Sequence, residues 1–198
     1  VAQVIPPATA EQEDTALAAA MSYLASHGVT TVHDMSYDWA GLATYRRAHA
    51  TNKLKTRIYA SVPIFDWKRM SAEVEQHGRG DLWLRIGGVK GFMDGSLGSH
   101  TAAMFEPFSD TPDDSGFFLT EPAAMQEMAV AADKADLQLN IHAIGTLANA
   151  ELLDIFAAVG AANGGQGRRF RIEHAQHLRP QEIERIAAME IIPSVQPY

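Results

Sequence analysis

The sequence predicts an α/β protein built from parallel strand–helix units. Short β-branched runs alternate with longer segments whose apolar residues recur at helical spacing. Six candidate strands follow one another, each separated from the next by a helix, and that alternation marks parallel βα units. Two architectures share it, an open doubly wound sheet and a (β/α)8 barrel. A doubly wound nucleotide binder carries a glycine-rich phosphate loop between a strand and the helix it feeds. Here Gly87-Gly88 falls inside a strand, and the loop after Asp94 does not open directly onto a helix. The pattern therefore favours the barrel.

The elements read off in order. Thr9-Ala-Glu-Gln12 is a capping box, and Ala16, Leu17, Ala20, Met21 and Leu24 continue a helix that Gly28 ends. Val29–Val32 is a short strand closed by His33 and Asp34. Trp39–His49 reads as a helix, Arg57–Val62 as a strand, and Trp67–Gln76 as a helix ended near Gly78. Leu82–Met93 is a strand region and Asp94–Ser99 a loop. Phe105–Phe118, rich in Pro and Asp, is expected as an excursion in the form of a hairpin flap. Thr120 is expected to cap a helix over Ala123–Lys134, with Pro122 in its first turn. Leu137–Ile141 is a strand and Ala148–Ala162 a helix whose Phe156, like Met125 before it, fits core spacing. Gly164–Gly167 is a surface turn. Phe170–Ile172, Pro180–Met189 and Ile191–Val195 complete the chain as strand, helix and strand.

Composition limits the function. The chain has 198 residues, 46% hydrophobic and 20% charged, enough for a sizeable core in a soluble globular protein. A net charge of -8 without a basic stripe repels phosphates and opposes nucleic-acid binding. The absence of cysteine excludes disulfides and thiolate chemistry. No apolar run approaches the ~18 residues of a membrane span, and no signal peptide opens the chain. A cytoplasmic location is the default. Val1 in place of Met, and an end at Tyr198 just past an apolar run, read as a trimmed or partial chain.

Catalytic side chains of a barrel cluster where strands end. Those positions hold His33 with Asp34, Lys90 with Asp94, His142, and Glu173 with His174. One histidine at a strand end is ordinarily a hydrogen-bonded structural residue. Two on successive parallel strands, about 4.8 Å apart, can converge on one metal at Zn–N distances of about 2.0–2.1 Å. Lys90 sits in an apolar stretch, Ile86–Met93, where an ammonium is costly unless paired. Asp94 is its candidate partner. Alternatively the amine adds carbon dioxide and becomes an anionic carbamate able to bridge two metals. Composition leaves both open. Ser96, Ser99 and His100 lack the elbow motif of a serine nucleophile.

Five stretches, in one order, carry a resemblance: Gly28–Asp34, Val89–Ser99, Asn140–Gly145, Arg171–Gln176 and Ser194–Pro197. They resemble the amidohydrolase superfamily, in particular the branch of N-substituted formamide deformylase-like enzymes. The resemblance implies a (β/α)8 TIM barrel beside a β-sandwich, with this chain supplying strands two to seven as the central part of one barrel domain. Strand one with its His-x-His pair, strand eight with its Asp, and the sandwich are expected outside residues 1–198. Metal roles carry over to Lys90, a carboxylated lysine in the pattern, and to His142 and His174. Asp94, Gly95, Ser96, Gln176 and Gln196 are expected behind those ligands or against the substrate. The pattern has Asp where Thr146 stands, which puts one supporting hydrogen bond in question.

The implied function is metal-dependent hydrolysis of a non-peptide C–N bond in a small amide or N-formyl substrate. One or two divalent ions, zinc first, would serve as cofactor, and self-association into a homo-oligomer is left open. The Gly95–Phe118 segment is expected to cover the substrate. The alternative is a non-catalytic regulatory or scaffold protein that retains the barrel.

Overall fold

A computed structural model describes residues 6–35, 38–164 and 167–197. Gly165 and Gln166 of the predicted surface turn lie outside the described residues. The elements run α1 (Ala10–Ser26), β1 (Thr31–Asp34), α2 (Trp39–Ala50), β2 (Arg57–Pro63), α3 (Trp67–His77), β3 (Leu84–Phe92), α4 (Pro122–Lys134), β4 (Gln138–Ala143), α5 (Thr146–Asn163), β5 (Arg171–His174), α6 (Pro180–Ala188) and β6 (Ile192–Ser194). Single 3-10 turns occur at Ile64–Asp66 and Leu97–Ser99.

The chain divides into two compact units. The first runs to Val62 and includes Glu73–Gly87; the second holds Pro63–Ala72 and the residues from Gly88 onward. In the first, β1 lies parallel to β2 with Thr31 opposite Arg57. The Ile58 N–H donates to the Trp83 carbonyl at 2.8 Å, just ahead of β3. In the second, β3, β4, β5 and β6 pair in parallel, each with the next. The strands thus follow sequence order, β1-β2-β3-β4-β5-β6. A doubly wound sheet reverses its order at a switch point, and here no reversal occurs. The architecture is α/β, a partial (β/α)8 barrel.

Helix ends feed the strands through one repeated device. After α1 the Val29 N–H bonds back to Leu24 O at 3.0 Å and Gly28 N–H to Ala25 O at 3.0 Å, with Gly28 at φ 74. This six-residue closure satisfies carbonyls that the last helical turn leaves open. It also explains why β1 starts at Thr31 and not at the predicted Val29, whose N–H is already committed to the helix. The same pair of bonds closes α2 around Asn52, α4 around Asp136 and α6 around Glu190, each of them in the left-handed region.

The second unit carries the larger core. β3 and β4 are buried along almost their whole length, as expected for parallel strands covered on both faces. Met125, Leu139, Ile141, Leu152, Leu153, Phe156 and Ile172 are fully buried, each contributing about 1.5–3 kcal/mol of apolar burial. Phe156 stacks on Phe170 with ring centroids 4.8 Å apart. At Gly91 a Cβ would lie 2.9 Å from both Ile141 Cδ1 and Met125 Cε, so a larger residue there would push the tips of those two side chains aside.

Two local expectations fail. Thr120 does not cap α4: Glu121 is the N-cap and its side chain makes no capping bond. Pro122 fixes that helix start by its φ alone. Nor does Phe105–Phe118 form a hairpin. Among the described residues it shows isolated bridges, Phe108 to Thr111 within it and Phe118 to Asp94. Pro107 and Pro112 have no N–H for a ladder. Bonds from Met104 N–H to Ser115 O and from Phe108 N–H to Asp114 O, both 2.8 Å, hold the fold-back instead. Among the described residues no helix is long and apolar enough to cross a membrane.

Candidate metal centre

Parallel register places the chemistry of the second unit in two rows on one sheet face. Lys90, Asn140, Arg171 and Ile192 stand opposite one another across β3 to β6. Two residues further along come Phe92, His142, Glu173 and Ser194. Side chains alternate between faces with period two, so the residues of both rows share a side.

Lys90 is only 4% exposed. Burial lowers its ammonium to about 8, with Glu173 opposing the shift and Arg171 adding to it. The Phe92 ring lies 4.7 Å from Nζ. Asp94 is not its ion-pair partner, contrary to one sequence expectation. That carboxylate is 0% exposed and accepts three backbone N–H groups: Ala103 at 2.9 Å, Ile144 at 3.0 Å and Gly145 at 2.7 Å. It ties the loop after β3 to the turn after β4.

The charge beside Lys90 is Glu173, which the sequence reading noted at a strand end without giving it a role. Arg171 donates to it at 2.8 and 3.4 Å, and also to Ser194 Oγ at 2.9 Å. Burial pulls the Glu173 carboxyl upward, but the hydrogen bonds from Arg171 and Ser194 outweigh it and hold the group below its ordinary value. The readable signal was parity. In Arg171-x-Glu173 two opposite charges share one strand face, and a buried face tolerates them only as a pair.

His142 follows the regular alternation; His174 does not. Its register partner is Ala143, so an ordinary strand would turn it to the other face. Left-handed backbone at His174 (φ 76) and Ala175 (φ 44) re-aims it, a conformation that costs of order 1–3 kcal/mol in a non-glycine residue. The two imidazoles meet with ring centroids 4.7 Å apart. His142 Nε2 donates to the Gly95 carbonyl at 2.8 Å, with Asp94 Oδ1 at 3.4 Å. Both neighbours are acceptors, so Nε2 carries the proton and Nδ1 keeps a lone pair. His174 Nδ1 donates to Gln196 Oε1 at 2.7 Å, which leaves the lone pair on Nε2.

Other predicted residues are placed less tightly. Ser96 is exposed, and its hydroxyl pairs with Ser99 at 2.9 Å. Gln176 is exposed, and among the described residues no hydrogen bond joins it to either imidazole. Thr146 Oγ1 accepts the Phe105 N–H at 3.1 Å, so the side chain standing for the expected Asp anchors the excursion after β3. The Arg179 guanidinium lies 3.8 Å over the Phe105 ring and binds Glu182 at 2.9 and 2.6 Å.

The donors suit a divalent ion. Among the described residues no cluster of three His, Cys, Asp or Glu side chains can hold one; Lys90 shares the sheet face of His142. Two imidazoles, each with one ring nitrogen fixed by an acceptor, match the way metal-binding histidines are ordinarily oriented.

A sequence profile of the amidohydrolase family matches residues 1–198. The chain belongs to that family. Protein LONG AFTER FAR-RED 3 of Arabidopsis thaliana is 39% identical to this amidohydrolase chain, over 94% of it and 34% of the plant protein. Exoenzymes regulatory protein AepA of Pectobacterium carotovorum subsp. carotovorum is 32% identical over 59% of the chain and 24% of its own length. The crystal structure of an uncharacterized metal-dependent hydrolase from Pyrococcus horikoshii OT3 superimposes with a TM-score of 0.85 at 32% identity, covering 96% of this chain and 38% of that one. The amidohydrolase chain thus spans from 24% to 38% of the length of these relatives.

Proposed function

We propose that the protein is a metal-dependent amidohydrolase that cleaves a non-peptide C–N bond in a small amide or N-formyl-type substrate. The observation that carries this reading is the pair of imidazoles 4.7 Å apart on the face that buries Lys90. Lys90, His142 and His174 would hold one or two divalent ions, zinc first, because neutral imidazole and an oxygen anion suit it. Such an ion, when bound, supplies a nucleophile from water at neutral pH and polarises a carbonyl. The resemblance to N-substituted formamide deformylase-like enzymes supports the formyl class of substrate.

The chain's own residues prepare the site. With its amine lowered to about 8, Lys90 is neutral in about a tenth of molecules at pH 7. The neutral amine adds to carbon dioxide: an N–C bond forms, one proton leaves to solvent, and the product is a carbamate with two donor oxygens. Asp94 and the Gly95 carbonyl keep the His142 ring in place. Gly95–Phe118, with Ser96 at its start, walls the substrate side. The reading includes a cytoplasmic enzyme acting on a dissolved small molecule, with self-association into a homo-oligomer left open.

In the full-length protein, Lys90→Ala is expected to lower metal per folded molecule and to abolish amide hydrolysis, with short carboxylic acids restoring part of both. Full metal occupancy in that variant overturns the assignment. A regulatory role is the second reading, favoured by the likeness to exoenzymes regulatory protein AepA and by Thr146 in place of the pattern's Asp. It predicts metal binding without turnover on any amide or N-formyl compound.

A further inference from the structure

The sheet register alone would turn His174 away from His142, and its left-handed backbone brings it back. A backbone turn sets where the ring stands, but not the angle at which the ring faces its neighbour or which nitrogen bears the proton. Those choices fall to what the ring touches. The contact is Gln196, two residues beyond β6, whose Oε1 lies 2.7 Å from His174 Nδ1. Its amide is held from the other end, since Nε2 reaches the Ser194 carbonyl at 3.5 Å. Ser194 is in turn fixed by Arg171 at 2.9 Å. The amide oxygen therefore faces the imidazole, and an amide oxygen only accepts.

We infer that Gln196 is a positioning residue: it holds His174 in the Nδ1–H tautomer and points the Nε2 lone pair to the side where His142 and Lys90 stand. This inference rests on the metal-dependent reading for its purpose, but not for its geometry. β6 thereby contributes to the site without touching an ion. A carboxylate at position 196 would serve as well, because it also accepts from Nδ1–H. An apolar side chain would release the ring.

The test uses the full chain and two variants, Gln196→Leu and Gln196→Glu. Nitrogen-15 NMR of labelled histidine in the metal-free chain reports the tautomer of His174. Chelator competition with zinc reports affinity. Wild type and Gln196→Glu are expected to hold the Nδ1–H form and to bind zinc within about threefold of each other. Gln196→Leu is expected to mix both tautomers and to weaken zinc about 10–100-fold, the range for groups that orient metal ligands. An unchanged His174 tautomer in Gln196→Leu overturns the inference, and so does unchanged zinc affinity. A wild-type chain that takes up no zinc removes the hydrolase reading instead, and the tautomer measurement then decides the role of Gln196 by itself.

Discussion

Replacing Lys90 by methionine should stabilise the metal-free chain while removing a proposed metal donor. Burial moves the Lys90 amine from its ordinary 10.5 to about 8, which at ~1.36 kcal/mol per pH unit corresponds to about 3 kcal/mol of destabilisation. Methionine has nearly the same length, no charge, and an adaptable thioether for the space beside Phe92. Glu173 keeps its partners Arg171 and Ser194 in the variant. The sign follows from linkage. The folded value lies below the unfolded one, so the folded chain binds fewer protons between about 8 and 10.5, and its stability rises across that window. Below about 8 the penalty is complete. Urea unfolding in metal-free buffer stripped of carbon dioxide should show Lys90→Met more stable by about 2–3 kcal/mol at pH 7. The gap should shrink toward zero as the pH approaches 10.5. A variant less stable than wild type at pH 7, or a gap that does not change with pH, refutes the argument.

Substitutions at two further positions probe what holds the loop after β3. Asp94→Asn keeps the shape but sets an NH2 group against backbone donors now served by three bonds; a loss of about 3 kcal/mol in urea unfolding and faster hydrogen exchange at Ala103 and Gly145 are expected. Unchanged exchange at those amides would show that the carboxylate is not the tie. Arg179→Ala leaves the Glu182 carboxylate without its cation and should lower the melting temperature. Arg179→Lys keeps the charge but loses the flat stack over Phe105 and should lower it less. Equal melting temperatures for the two variants would contradict this division.

How much of the fold was legible depends on how local each signal is. The capping box at Thr9–Gln12 involves neighbours in sequence, and it forms as read. Helices α2 and α3 also begin where periodicity places them. β1 begins and ends two residues beyond its predicted bounds, and β5 begins one residue and ends two residues beyond its own. At β1 the cause is a bond from Val29 back into the preceding helix, which apolar content does not reveal. Gly28 announces that closure; Asn52, Asp136 and Glu190 adopt the same left-handed backbone without a glycine to announce it. At the candidate site Lys90, His142 and His174 were visible as chemistry-bearing residues at strand ends. Glu173 was overshadowed by its neighbour His174, because its position follows from pairing with His142 across β4 and β5.

The sequence by itself determined the α/β alternation, and it named the candidate metal ligands, because both are written in residue type and short spacing. It did not determine the strand order, which depends on non-local hydrogen bonds. It did not show that Asp94 would serve three backbone donors in place of Lys90, since Ile144 and Gly145 lie about fifty positions away in the chain. The facing of His174 is the sharpest case. Strand parity in the sequence turns it away from His142, and two left-handed residues, with the Gln196 acceptor just beyond β6, turn it back. A conformation of that kind persists only where surrounding contacts outweigh its cost, and those contacts come into being when the sheet assembles.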